Sequence, residues 1–250
     1  MMMSNTLDGK VAVVTGAGGT MGRAVVEALV QQGCRVAMID VHAASMEPMR
    51  ERHGASVAAH VCDIRGAGEV EKAHLAVVQA WGSVDILVNN AGVLSNHKVE
   101  ATTLSEWREV LAVNLDGALF WSQCVTPAMK SRRWGRIINT GSLASKTGGL
   151  TAGTAYSVSK GAIGALTFSL ARELASFGVT ANAIAPAYVK TPMVTEQLNE
   201  AQRQALLQQI PVGRFCEPEE FAHVVAFLAS PLSGFITGEI IDLNGGLLMD

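Results

Sequence analysis

Val11-Ala12-Val13-Val14-Thr15-Gly16-Ala17-Gly18-Gly19-Thr20-Met21-Gly22 runs from an apolar strand into a glycine-rich turn. A segment of helical period, Arg23 to Gln32, follows at once, with Ala24, Ala28 and Leu29 on one face and Gly33 as its stop. Arg35 to Ile39 reads as a second strand ending at Asp40. Strand, tight turn, helix and strand make a βαβ unit, which requires parallel strands.

The alternation continues outward from this unit. Val57 to Cys62 is a third strand ending at Asp63, Glu69 to Trp81 is helical, and Val84 to Val88 is a fourth strand running into Asn89-Asn90-Ala91-Gly92. A helix from about Leu104 to Met129 precedes a strand at Arg136 to Asn139. A helix from Ala155 to Phe177 precedes a strand at Thr180 to Ile184, and a helix around Pro218 to Ala229 precedes a last strand at Glu239 to Leu243. Strands apolar on both faces and separated by helices imply a parallel sheet covered on both sides. With no internal repeat or long linker, one doubly wound α/β domain is expected over residues 1–250, with residues 1–6 flexible.

Composition narrows the function classes. Apolar residues are 49% and charged residues 16% of the 250, enough for a buried core and too few charges for disorder. The net charge is −3 with mixed signs, and the densest basic cluster is only Arg132, Arg133 and Arg136, so no nucleic-acid or membrane partner is expected. Met1 to Lys10 lacks the pattern of a signal peptide, and no run of about 18 apolar residues exists. Cys34, Cys62, Cys124 and Cys216 are far apart, with no zinc-like spacing, and read as buried free thiols of a reducing compartment. A soluble cytoplasmic protein without a metal site is expected.

The turn from Gly16 through Gly19, Thr20 and Met21 to Gly22 suits a pyrophosphate: glycine permits close backbone approach, and the following helix directs N–H groups and its dipole at the anion. Asp40, at the end of the second strand, can accept hydrogen bonds from both ribose hydroxyls and repel a 2′-phosphate. Gly19 and Val41 are uncharged, and Arg35 begins the strand at the far end. NAD is therefore expected to bind more tightly than NADP. Asp63, beside Ile64, can receive the adenine amino group, with a helix N-cap as the competing role. Asn90, Ala91 and Gly92 follow the fourth strand at the edge where ligands of open α/β sheets bind.

Tyr156 and Lys160 stand four apart and share a helix face. A phenol ordinarily has a pKa of about 10, but an ammonium and a cationic nicotinamide ring beside it would lower that value. Tyr156 could then exchange the proton of a substrate hydroxyl, while Lys160 bonds the nicotinamide ribose. Ser142, just beyond the fifth strand, could hold the substrate oxygen, and Asn114 could anchor a water linking Lys160 to solvent. Each has an ordinary structural explanation; their joint order along the chain is what carries the reading.

Together these motifs resemble the short-chain dehydrogenase/reductase family from about Leu7 to Met249. The fingerprints are Thr15–Gly22, Asn89-Asn90-Ala91-Gly92, Asn114, Ser142, Tyr156-Ser157-Val158-Ser159-Lys160 and Pro186 to Thr191. The resemblance implies a seven-stranded Rossmann-like sheet, usually a homotetramer, and a tyrosine acid/base assisted by serine, lysine and asparagine. It further implies that the Pro186–Thr191 loop, Val189 included, lies against the nicotinamide carboxamide, and that Met193 to about Ile210 forms a mobile lid. Thr20 replaces the usual middle glycine, Ala187 replaces the glycine after the loop proline, and Ser142 to Tyr156 is one residue longer than common.

Leu94, His97, Leu143, Ser145, Gly149, Tyr188, Met193 and Leu198 are the expected substrate walls, although His97 also reads as an ordinary exposed loop residue. With no arginine pair to clamp an anion, a secondary alcohol or its ketone is expected as substrate. The second reading is a 3-oxoacyl-[acyl-carrier-protein] reductase: Arg133 matches a basic position of that branch, whereas Phe177 stands where a second base is usual and those enzymes mostly prefer NADPH. A non-catalytic NAD-binding protein ranks lower, because all four reacting groups are present.

Overall fold

The computed structural model describes residues 7–192 and 199–249. Its strands are β1 (Val11–Thr15), β2 (Arg35–Asp40), β3 (Val57–Val61), β4 (Ile86–Asn89), β5 (Gly135–Thr140), β6 (Val179–Pro186) and β7 (Ile240–Leu243). They form one all-parallel sheet in the order β3-β2-β1-β4-β5-β6-β7. Every crossover therefore carries the chain back over a face of the sheet, and helices bury both faces. The strand order reverses between β1 and β4, which pair with Val13 opposite Leu87. A crevice lies at the C-terminal ends of those two strands.

The helices are α1 (Thr20–Gln31), α2 (Ala43–His53), α3 (Ala67–Trp81), α4 (Leu104–Leu111), α5 (Gly117–Arg132), α6 (Ala144–Thr147), α7 (Thr154–Leu174), α8 (Glu200–Gln209) and α9 (Pro218–Ala229). One apolar core gathers Val25, Val26 and Leu29 of α1, Met46 and Met49 of α2, and Phe221 and Val225 of α9. The other gathers Val70 and Val77 of α3, Trp121, Val125 and Met129 of α5, and Leu170 and Leu174 of α7. All seven strands expected from the sequence are present, with ends shifted by one or two residues.

Several expectations need correction. The buried stripe of α1 is Gly22, Val25, Val26 and Leu29, whereas Ala24 and Ala28 are only partly buried against the same core. Helix α2 had no counterpart in the periodicity. Pro48 lies inside it, and only Met46 and Met49 are buried. The single long helix expected from Leu104 to Met129 is α4 and α5 joined by a π-helical turn, Ala112–Asp116, and it runs on to Arg132. Asp63 does not cap α3, whose N-cap is Gly66. Residues 1–6, Met193 and Leu198 lie outside the described residues.

All four cysteines are free, Cys34 and Cys62 buried and the other two half-buried. Among the described residues no helix is long and apolar enough to cross a membrane, and no three His, Cys, Asp or Glu side chains gather as a metal would require.

Gly22 shows how tightly the turn after β1 is packed. A Cβ there would overlap the Gly16 carbonyl oxygen and lie 2.8 Å from Ala17 Cα. Both obstacles are backbone and cannot rotate away. Gly22→Ala is expected to cost about 1–3 kcal/mol in urea unfolding, and an unchanged midpoint would refute the packing argument.

Candidate active site

The crevice encloses about 600 Å³ between the glycine turn, the segments after β4 and β5, and the segment after β6, within the range of small-ligand and cofactor sites. Gly16 adopts φ +64°, and a Cβ on it would come within 2.8 Å of Ala91 Cα. Glycine is required there because the loops after β1 and β4 touch backbone to backbone. Thr15 stitches the same two loops, its hydroxyl accepting the N–H groups of Asn90 and Ala91 at 3.0 Å each. The Asn90 side-chain amide donates to the carbonyls of Thr15 at 3.0 Å and Gly16 at 3.2 Å. Its side chain therefore shapes the turn.

Helix α1 starts at Thr20 with no side-chain cap. Its first N–H groups are left for the crevice, which Gly19, Thr20, Met21 and Gly22 line. Asp40 lines the same end, with one carboxylate oxygen accepting Gly18 N–H at 2.9 Å and the other His42 N–H at 3.0 Å. Arg23, on the first turn of α1, does not line the crevice and donates to the Ser45 carbonyl at 2.8 Å.

Asp63 and Ile64 are placed differently. The Asp63 carboxylate is bound by the Arg65 guanidinium, at 2.5 Å for the shortest contact, and this pairing holds its pKa below the usual range. Ile64 is buried, its side chain filling the space beside Gly117. Neither lines the crevice.

At the other end, α7 presents Tyr156 and Lys160 on its first two turns. Lys160 is 4% exposed, and its Nζ donates to the Thr140 carbonyl at 2.8 Å. An ammonium has three N–H donors, and among the described residues this carbonyl is its one hydrogen-bonded acceptor. Burial pushes its pKa down to about 8. Nζ lies 5.7 Å from the centre of the Tyr156 ring. Ser142, two residues past β5, lines the crevice with Tyr156, and its oxygen accepts Ala144 N–H at 3.1 Å.

The phenol departs from the sequence expectation. Burial raises its pKa above the ordinary value, and the polar Ser142 side chain offsets part of that rise. Lys160 alone does not acidify it. A lowered value would require a further positive charge beside the ring.

Asn114 sits in the π-helical turn with both ends of its side-chain amide hydrogen-bonded. Its Oδ1 accepts Val93 N–H at 2.8 Å, and its Nδ2 donates to the Val93 carbonyl and the Ser159 hydroxyl at 3.0 Å each. The side chain thus clamps the loop after β4. Ser159 completes the link by donating to the Tyr156 carbonyl at 2.7 Å. No local pattern separates Ser159 from its neighbours in the chain.

Leu94, Leu143, Gly149 and Tyr188 line the crevice as expected, as do Pro186, Val189 and Thr191. Ser145 does not: its hydroxyl donates to the Ser142 carbonyl at 2.7 Å. His97 faces outward, 65% exposed, and pairs with Glu106.

A nicotinamide dinucleotide fits this donor set. Uncapped N–H groups and glycines that admit close approach suit a pyrophosphate, a carboxylate at the end of β2 suits a ribose diol, and the spare donors of Lys160 suit hydroxyls. A family model described as enoyl-(acyl carrier protein) reductase matches residues 16–248. The 3-oxoacyl-[acyl-carrier-protein] reductase of Vibrio cholerae is 38% identical over 244 residues, covering 97% of this chain and 99% of the relative. Reductases of the same name from Thermotoga maritima and Escherichia coli are each 35% identical, covering 97% of this chain and 99% and 98% of their own. The chain belongs to the short-chain dehydrogenase/reductase family and is an oxidoreductase.

The raised phenol has a direct check. Ultraviolet titration of the cofactor-free protein, wild type minus Tyr156→Phe, is expected to show ionisation above pH 10. Added oxidised cofactor should pull the transition down. Ionisation at or below the ordinary value without cofactor would contradict the burial argument.

Proposed function

We propose that this chain moves a hydride between NAD(H) and the carbon of a secondary alcohol or its ketone. The observation that carries the reading is the convergence of Ser142, Tyr156 and Lys160 beside the glycine cradle, at one edge of the sheet. In the oxidative direction the phenolate of Tyr156 takes the hydroxyl proton as the C–H bond gives up its hydride. In reduction the phenol returns that proton. The cofactor, when bound, supplies the hydride acceptor or donor. Ser142 holds the substrate oxygen by a hydrogen bond, and Lys160 meets the nicotinamide ribose and adds positive charge beside the phenol. Asn114 acts as a positioning residue by fixing Val93 and, through Ser159, the first turn of α7.

Gly16, Gly19, Thr20 and Met21 would receive the pyrophosphate, and Asn90, Ala91 and Gly92 the adjoining ribose. Pro186, Val189 and Thr191 would face the carboxamide. Asp40 supports NAD over NADP: its fixed carboxylate borders the crevice, and no Arg, Lys or His lines that end among the described residues. We further infer a cytoplasmic homotetramer in which one domain, residues 1–250, holds both cofactor and substrate.

A second reading, reduction of 3-oxoacyl groups on an acyl carrier protein, has a specific observation in its favour besides the names of the relatives. Phe177 is not a gap in the basic surface: Lys130 Nζ lies 4.4 Å over its ring, and exposed Arg133 donates to the neighbouring Ser176 carbonyl at 2.8 Å. Two cations therefore flank this position and could meet an acidic carrier.

A screen of alcohols, polyols and hydroxyacyl thioesters, following NADH absorbance, tests the first reading. Faster turnover of a carrier-bound 3-oxoacyl thioester with NADPH would reverse the order. Tyr156→Phe is expected to lose about 100-fold or more in kcat with little change in NAD affinity, and near-normal turnover would remove Tyr156 from its role. Calorimetric titration should give a much lower Kd for NAD than for NADP, equal values being the contrary result.

A further inference from the structure

The segment Gly148–Gly153 joins α6 to α7, and Gly149, Leu150, Thr151 and Ala152 form one wall of the crevice beside Ser142 and Tyr156. Gly148 and Gly149 take φ of +75° and +81°. With two successive left-handed residues, the wall bends so that the carbonyls of Gly149 and Ala152 converge on one point. Lys98 Nζ fills that point, 2.7 Å from each oxygen. Both acceptors are backbone, so the ammonium sets the shape of the wall whatever side chains it carries.

We propose that Lys98 is a positioning residue that fixes the substrate side of the crevice. Its foundation is rigid. Gly153 N–H donates to the Ser95 carbonyl at 2.6 Å and Thr154 N–H to the His97 carbonyl at 3.0 Å. A Cβ on Gly153 would lie 2.5 Å from the His97 oxygen. Glu106 on α4 in turn accepts the Ser95 hydroxyl at 2.5 Å and lies 2.8 Å from His97 Nδ1. Both contacts hold its carboxyl below the usual range. The strip 95–98 is thus pinned to α4, and the start of α7 is pinned to that strip by backbone bonds that do not involve the Lys98 side chain. Removing the ammonium would therefore release the wall while leaving Tyr156 anchored.

The inference rests on reading the crevice as an alcohol or ketone site, and the experiment separates the two. Lys98→Met keeps the alkyl stem and deletes the charge, whereas Lys98→Arg keeps two donors for the carbonyls. With the best alcohol from the screen, Lys98→Met is expected to raise KM about tenfold while kcat stays within about threefold and NAD affinity is unchanged. Lys98→Arg should recover most of the KM. Hydrogen exchange of residues 149–152 should accelerate in Lys98→Met and leave the glycine turn after β1 unaltered. Unchanged KM and exchange, or a fall in kcat at constant KM, would overturn the proposal. If the wild type oxidises no alcohol and reduces no ketone, the functional reading fails, and the exchange rates alone decide whether Lys98 holds the wall.

Discussion

Placing a lysine ammonium in the protein interior with one backbone acceptor is costly, because the charged form loses its hydration. The fall of the Lys160 pKa to about 8 reflects that cost. Much of the surrounding structure makes the placement possible. β5 ends so that the Thr140 carbonyl meets Nζ, and α7 is long enough to be held by Leu170 and Leu174 while its first turns project over the sheet edge. Gly92 leaves room for the neighbouring Asn114 amide, for a Cβ there would lie 3.3 Å from Asn114 Oδ1. A charge held this way, with two donors spare, is preorganised for a polar ligand before the ligand arrives.

The parallel sheet supplies the second requirement, which is bringing distant residues to one edge. Because every strand runs the same way, the segments after β1, β4, β5 and β6 all emerge on one side, and each contributes to the crevice. Their mutual spacing is set by contacts that end on backbone atoms: Gly16 against Ala91, Thr15 hydroxyl against two amides, and Asn114 across the backbone of Val93. Tyr156 is mounted on that frame.

Most of this frame was legible in the sequence, because strands buried on both faces write continuous apolar runs and glycine turns punctuate them. Helix α2 was not: Pro48 interrupts its pattern, and two methionines are its only buried side chains. The positions of Ser142, Tyr156 and Lys160 could be read from order and spacing, whereas their electrostatics could not. Whether burial or a neighbouring charge dominates the phenol depends on distances that no spacing encodes. Asp63 and Ser145 were misread for a similar reason, each spending its polar atoms on a partner two or three residues away. Lys98 and Glu106 left no local signal, since their partners are loop backbone and residues brought near by folding.

The π-helical turn at Ala112–Asp116 uses one more residue per turn than the helices on either side. An α-helix advances about 100° per residue, so that extra residue rotates everything downstream by about that angle. Upstream, α4 offers Glu106 to the loop after β4, and downstream, α5 drives Trp121 and Val125 into the core. A regular helix of the same length could satisfy one of these orientations and would turn the other away. The widened turn thus works as a phase adjuster, letting a single rod serve a reactive rim at one end and an oily interior at the other.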